Sequence, residues 1–227
     1  MRTELYLGAL ADLFYPQRCV GCRGRASDVL CRDCFEALPW IGEPACRRCG
    51  LPTAFEVLVC EECKNVDFGF ESARAPLRYE GVGKRIVHAL KYSGYLRVVE
   101  RLMAPMMREA VTADFDLIVP VPLHPYRLRR RGFNQAGLMA RGLADKIKKP
   151  VSDRLEAVRI TRDQVELSAA ERRSNVEGAF RARGAVRGRV LLVDDVFTTG
   201  ATLSAGSAEL RRAGAAEVYA LSLCRTC

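Results

Sequence analysis

The sequence predicts an α/β protein: a mainly parallel sheet with helices on both faces, preceded by a small cysteine-rich module. Three observations predict it. After Phe68, short apolar runs suited to buried strands alternate with amphipathic segments. Eight of the ten cysteines fall before residue 64, in four C-x-x-C pairs. Charge divides unevenly, with 8 Lys/Arg against 10 Asp/Glu in residues 1–70 and 28 against 17 in residues 71–227. Residues 1–70 are therefore expected to form the module and residues 71–227 the larger domain. The basic excess of the latter suits anionic ligands.

The first residues, MRTELYLGALADLFYPQRC, are broken by Glu4, Asp12 and Pro16. They read as a short amphipathic helix, not a signal peptide. No apolar run is long enough to span a bilayer, so a soluble, cytoplasmic protein with no membrane insertion is expected.

The pairs Cys19/Cys22, Cys31/Cys34, Cys46/Cys49 and Cys60/Cys63 are separated by 8, 11 and 10 residues. Each C-x-x-C places two thiolates on one tight turn and supplies half of a tetrahedral four-sulfur site, so two structural Zn2+ ions are expected. A disulfide framework would require an oxidising compartment, and a redox C-x-x-C usually occurs singly. Four knuckles can pair in three ways, and spacing does not choose among them. Gly21 and Gly50 lie where knuckles need relaxed backbone angles. The last pair, Cys224 and Cys227, has no neighbouring pair and reads as two incidental thiols.

In the larger part, RAPLRYEG reads as a strand and GVGKRIVHALKY as a basic helix. YLRVVERLMAPMMREAV reads as a second helix, bent or broken at Pro105. Leu117 to Val121 is a buried strand stopped by prolines, and NQAGLMARGLADKI a helix started by Asn134. Residues 154–180 are polar and basic, with no clear helical or strand period over the first half. RVLLVDD is a further buried strand, ATLSAGSAELRRAG a helix ended by Gly214, and EVYALSL the last strand. In such sheets ligands bind beyond the C-terminal strand ends.

One of those ends is VLLVDDVFTTGATL, Val190 to Leu203. Asp194 and Asp195 are acceptors suited to a vicinal diol such as ribose. Thr198, Thr199 and Thr202 add hydroxyl donors around Gly200 and Ala201, where a helix start favours a phosphate. Neither a P-loop nor a G-x-G-x-x-G is present.

This 14-residue stretch resembles the phosphoribosyl pyrophosphate (PRPP) signature of type I phosphoribosyltransferases. Val119 to Ala144, Arg159 to Phe180, the four C-x-x-C pairs and YEGVGKRIVHALKYSGY resemble the corresponding parts of the ComF (GntX-like) competence protein family. The resemblance covers nearly the whole chain. It implies a type I phosphoribosyltransferase-like sheet behind a double zinc ribbon. Asp194 and Asp195 would hold the ribose hydroxyls, and Thr198 to Thr202 the 5′-phosphate. A first loop with His124, Arg127, Arg130 and Arg131 would cradle pyrophosphate; guanidinium forks are fitted to phosphate oxygens. A second, lid-like loop would carry Arg159, Thr161, Gln164 and Arg172. Mg2+ would bridge ribose and pyrophosphate oxygens.

The resulting expectation is a PRPP-dependent transferase with an unspecified acceptor. The alternative is a non-catalytic PRPP or nucleotide sensor, or a factor holding single-stranded DNA or meeting the DNA-uptake machinery. Against the DNA reading, the sequence shows no clustered aromatic platform. Self-association into a homo-oligomer is left open.

Overall fold

The computed structural model describes residues 17–64, 66–92, 97–110, 112–161 and 169–227. The expected N-terminal helix lies outside the described residues. A five-stranded sheet forms the centre. β3 (Leu117–Pro120) pairs with β6 (Arg189–Phe197), and β6 with β7 (Glu217–Arg225). β1 (Ala73–Arg74) and β2 (Leu77–Arg78) both lie along the outer edge of β7, and every pairing is parallel. RAPLRYEG thus forms two pieces of one edge strand, interrupted at Ala75 and Pro76, because proline has no N–H for the ladder.

Alternation along β6 divides the core. Leu191 and Val193 point to one face, where they pack with Ile86 and Leu90 of α2 (Gly81–Tyr92), Leu102 and Met106 of α3 (Arg97–Ala110), and Met139 and Leu143 of α5 (Gln135–Ile147). Val190 and Leu192 point to the other, against Leu203 and Leu210 of α7 (Ala201–Arg212). Helices therefore cover both faces, as the alternating pattern predicts. Asn134 caps α5 by accepting from the Ala136 amide at 3.1 Å. Gly214, with φ 105°, follows the C-cap of α7.

Three expectations change. α3 runs through Pro105 without a break. Val98, Leu102 and Met106 are completely buried on the two sides of it, and their burial outweighs the ~3 kcal/mol cost of an interior proline. The segment read as irregular holds β4 (Leu155–Ala157), antiparallel to β5 (Phe180–Ala182), with α6 (Ala169–Val176) between them. Three-residue strands are too short to show a period of two. The loop after β3 contains a seven-residue helix, α4 (Pro125–Arg131), with Pro125 at its start and Gly132 at φ 83° closing it.

Among the described residues, the cysteine module has no core of its own. Cys19, Val29, Leu30 and Leu38 join the α2-side core, and Cys46, Cys49, Cys60 and Cys63 join the α7-side core with Phe68 and Phe70. α1 (Arg32–Glu36) carries Cys34. The two halves repeat one local design. Arg23 N donates to Cys19 O, and Gly50 N to Cys46 O, both at 2.8 Å and both at φ near +65°. Gly21 is not in the left-handed region. Its requirement is space, since a Cβ there would lie 2.6 Å from the Cys34 sulfur.

Candidate functional site

β6 does not end at its acids. It continues through Val196 and Phe197, and Phe197 pairs with Arg225 of β7. Asp194 therefore lies inside the ladder, opposite Ser222, and Asp195 follows it before pairing resumes at Val196 opposite Cys224. Lys91, from the last turn of α2, reaches the Asp195 carboxylate at 3.0 Å. Burial works against the Lys91 charge, but Asp195 outweighs it and raises the lysine pKa. Among the described residues no cation lies so close to Asp194. Its Oδ1 accepts from the Asp195 amide at 2.8 Å, yet burial, reinforced by the Asp195 charge, pushes its carboxyl up to about 7.

Beyond Phe197 the chain turns through Thr198 and Thr199 into Gly200, the N-cap of α7 at φ 76°. A Cβ on Gly200 would lie 2.6 Å from both the Phe197 and Phe68 rings. Phe68, Phe70 and Phe197 form one aromatic cluster under the loop, with ring centroids 4.9 to 6.1 Å apart. Gly200→Ala combines a disfavoured φ with overpacking, so stability should fall by about 1–3 kcal/mol. Urea denaturation checks it, and an unchanged midpoint would contradict this packing.

The loops after β3 and β6 meet, because those strands are neighbours in parallel. They enclose a cavity of about 350 Å3, whose lining includes Asp194, Asp195, Thr198, Thr202, His124, Arg127, Arg131, Arg159 and Thr161. Arg127 and Arg131 are one helical turn apart on α4, on the side facing the cavity. Arg127 Nη2 donates to Thr161 O at 2.6 Å, and Arg131 Nη1 to Gln135 Oε1 at 2.9 Å. Arg159 Nη2 donates to the Asn175 carbonyl at 3.1 Å and to that of Glu177. It thereby ties the segment after β4 to the end of α6.

Four predicted residues stand apart from this lining. Arg130 lies with its guanidinium 5.8 Å from the Tyr126 ring centroid, because α4 turns it away from the Arg127/Arg131 side. Thr199, Gly200 and Ala201 shape the start of α7, where the Thr199 hydroxyl accepts from the Ala201 amide at 3.4 Å. His124 caps α4, its Nδ1 accepting from the Tyr126 amide at 3.2 Å. Gln164 lies outside the described residues, and for Arg172 only its place on α6 is described.

Sequence reasoning missed Lys91, Lys84, Tyr79, Tyr92, Gln135 and Thr226 in the cavity wall. Lys91 had a weak signal, as a cation next to the C-terminal end of an amphipathic helix. Thr226 had none; the parallel β6–β7 register puts it there, with its hydroxyl donating to Thr198 O at 3.2 Å.

The eight module cysteines assemble sequentially. Cys19, Cys22, Cys31 and Cys34 form one group and Cys46, Cys49, Cys60 and Cys63 the other, with all sulfurs of each within 4.8 Å. Separations of 3.9 Å (Cys22–Cys31), 3.7 Å (Cys49–Cys60) and 3.6 Å (Cys60–Cys63) match the ~3.8 Å edge of a zinc–thiolate tetrahedron. Although burial works to raise it, the amides of Cys31, Cys22 and Gly21 pull the Cys19 thiol down to about 6. Burial opposes the same effect at Cys46, where the amides of Cys49, Cys60 and Arg48 pull the thiol down to about 7. These are zinc-ribbon sites by donor set and spacing.

The second site also has a buried cation beside it. Arg225, 2% exposed, donates to the Cys49 carbonyl and stacks 4.8 Å from the Phe197 centroid. Among the described residues no carboxylate forms an ion pair with it. With zinc bound, the four thiolates would carry net negative charge beside this guanidinium and would compensate its burial. Cys224 is buried against Gly83 O, and Cys227 is exposed. Neither belongs to a metal-ligating group among the described residues.

A double zinc ribbon domain model matches residues 10–64. The chain is similar to "DNA utilization protein YhgH" of Salmonella typhimurium, 35% identical over 190 residues, covering 80% of this chain and 84% of the relative. It is similar to "Competence protein F" of Haemophilus influenzae, 30% identical over 227 residues, 93% of this chain and 98% of the relative. Among solved structures it overlaps the glutamine PRPP amidotransferase from B. subtilis with a TM-score of 0.36 and 22% identity, over 54% of this chain and 25% of that one. No helix among the described residues is long and apolar enough to cross a membrane.

Proposed function

Because the chain belongs to the ComF competence-protein family, we propose that its cavity binds PRPP and transfers the phosphoribosyl group to a nucleophilic acceptor. The observation that supports this most is the gathering in one recess of diol-accepting acids (Asp194, Asp195), phosphate-suited hydroxyls (Thr198, Thr202) and pyrophosphate-suited cations (Arg127, Arg131). In the reaction the acceptor's lone pair forms a bond to the anomeric carbon. The carbon–oxygen bond to pyrophosphate breaks with its electron pair on the leaving group, and the acceptor's proton passes to water.

No side chain needs to become covalently attached. Arg127 and Arg131 would orient pyrophosphate and stabilise its growing charge. Arg159 and Thr161 would close the lid over it, excluding water. The donor set fits Mg2+, because two hard carboxylates line one cavity, and a cation there would offset both the burial and the Asp195 charge that raise the Asp194 pKa. Asp194 and Asp195 would hold the ion, which when bound would supply positive charge to offset that growing on the leaving group.

Calorimetry with PRPP and Mg2+ should show binding that is abolished in Asp194→Asn/Asp195→Asn. Absence of heat with the parent protein, or an equal response from the variant, would remove the reading. A second reading draws on the relatives' names: a competence or DNA-utilization factor that holds single-stranded DNA and uses the cavity as a PRPP or nucleotide sensor. PRPP binding with no pyrophosphate release in the presence of any base or nucleotide would favour it.

A further inference from the structure

One wall of the PRPP cavity is α2, and behind that wall lies a second recess of about 520 Å3. Arg18 and Arg23 of the first ribbon line it together with Lys84, Arg85 and His88 of α2. Among the described residues, every charged side chain in this lining is basic. The two recesses are joined through Lys84, which lines both.

The wall between them is chemically specific. Lys84, His88 and Tyr92 recur at intervals of four residues, so they form a single ridge on α2, ~12 Å long. Tyr92 lines the first recess and His88 the second, with ring centroids 4.7 Å apart. Tyr92 is 62% exposed, and the Arg131 guanidinium lies 5.7 Å from its ring centroid. An aromatic surface thus faces the reaction cavity while a group of cations waits across the ridge. Along the chain the aromatic residues are scattered; folding brings His88 and Tyr92 together with Arg131.

A free base would use the rings and leave the cations without a role. Inorganic phosphate would use the cations and ignore the rings. A molecule with both parts uses the whole ridge, and its length suits a single nucleotide unit. We propose that the second substrate is a phosphate-bearing heteroaromatic base, a nucleotide unit either free or within a single strand. Its ring stacks on Tyr92 and His88, and its phosphate lies among Arg23, Lys84 and Arg85. The role as acceptor rests on the PRPP reading, but the binding does not.

The test therefore titrates the intact zinc-loaded protein without PRPP, using adenosine 5′-monophosphate, adenosine and a short labelled oligodeoxyadenylate. The nucleotide or the strand should bind, and adenosine should bind at least about tenfold more weakly. Tyr92→Ala should weaken binding by roughly tenfold, because the base no longer stacks there. Arg23→Glu/Arg85→Glu should weaken it by at least about tenfold. For the strand, the same variant should lower the slope of log K against log salt by ~0.7 for each phosphate left without its cation. Competition by the mononucleotide at equal affinity identifies a free nucleotide, and binding of the strand alone identifies a polynucleotide. Unchanged far-UV circular dichroism and an unchanged zinc content in both variants show that they are folded. Equal affinity in parent and variants, or no binding by a protein that still responds to PRPP, overturns the proposal. Absence of the PRPP response with nucleotide binding intact would instead sink the transferase reading.

Discussion

Removal of zinc is expected to unfold the whole chain, not the module alone. Each structural zinc contributes an apparent ~10–16 kcal/mol of folding free energy in small metal-folded domains, against a total stability of about 5–15 kcal/mol for a typical protein. Here the metal sites are built into both cores: Cys19 packs with Leu77 and Ile86, and Cys46 and Cys49 pack with Phe68 and Ala73. Arg225 extends the second site to the end of β6 through Cys49 and Phe197. The two ions should leave in order. Cys22 of the first site is exposed, whereas all four cysteines of the second are buried. Elemental analysis should give two zincs per chain, and chelation under reducing conditions should release them in a fast and a slow phase. Departure of the second should abolish the cooperative thermal transition. A zinc-free protein that melts at the parent temperature would refute this account.

Asp194→Asn should stabilise the ligand-free protein at neutral and alkaline pH while abolishing PRPP binding. Burial and the Asp195 charge raise the folded-state pKa of Asp194 from 3.8 to about 7. The folded state therefore holds this proton more tightly than the unfolded state does. The associated stability is fully present below about pH 4 and disappears as pH rises towards 7. Asparagine keeps the acceptor for the Asp195 amide but never ionises. Its advantage over the parent should grow across that window to a plateau of up to about 4 kcal/mol above pH 7. Melting curves of both proteins from pH 4 to pH 8 read the effect directly. A variant less stable than the parent at pH 8, or a difference independent of pH, would contradict the placement of the charge. The opposite signs for stability and binding are those expected of a strained functional pair.

The elements with strong local signals were legible in the sequence. Four apolar residues running into Asp194 and Asp195, the Asn134 cap and the Gly214 stop each depend on neighbouring residues, so local patterns located β6, the start of α5 and the end of α7. The C-x-x-C spacing likewise dictated four knuckles and their preference for a soft, tetrahedral metal, because a knuckle is a property of four consecutive residues. What the spacing left open was which knuckles meet.

Tertiary structure decided that, and it decided the site. Cys19 joins Cys34, and Cys46 joins Cys63, because each ribbon folds back against its own half of the core. Lys91 reaches Asp195 only because α2 packs on the face of β6 that carries Leu191 and Val193. Arg127 enters the cavity and Arg130 leaves it because a seven-residue helix, invisible among seven mostly basic and aromatic residues, sets their angle. Thr226 meets Thr198 through a strand register that no local pattern encodes. The residue types and their chemistry were written along the chain. Their distances depend on pairings between residues far apart in sequence, where burial and strand pairing, not local propensity, supply the free energy.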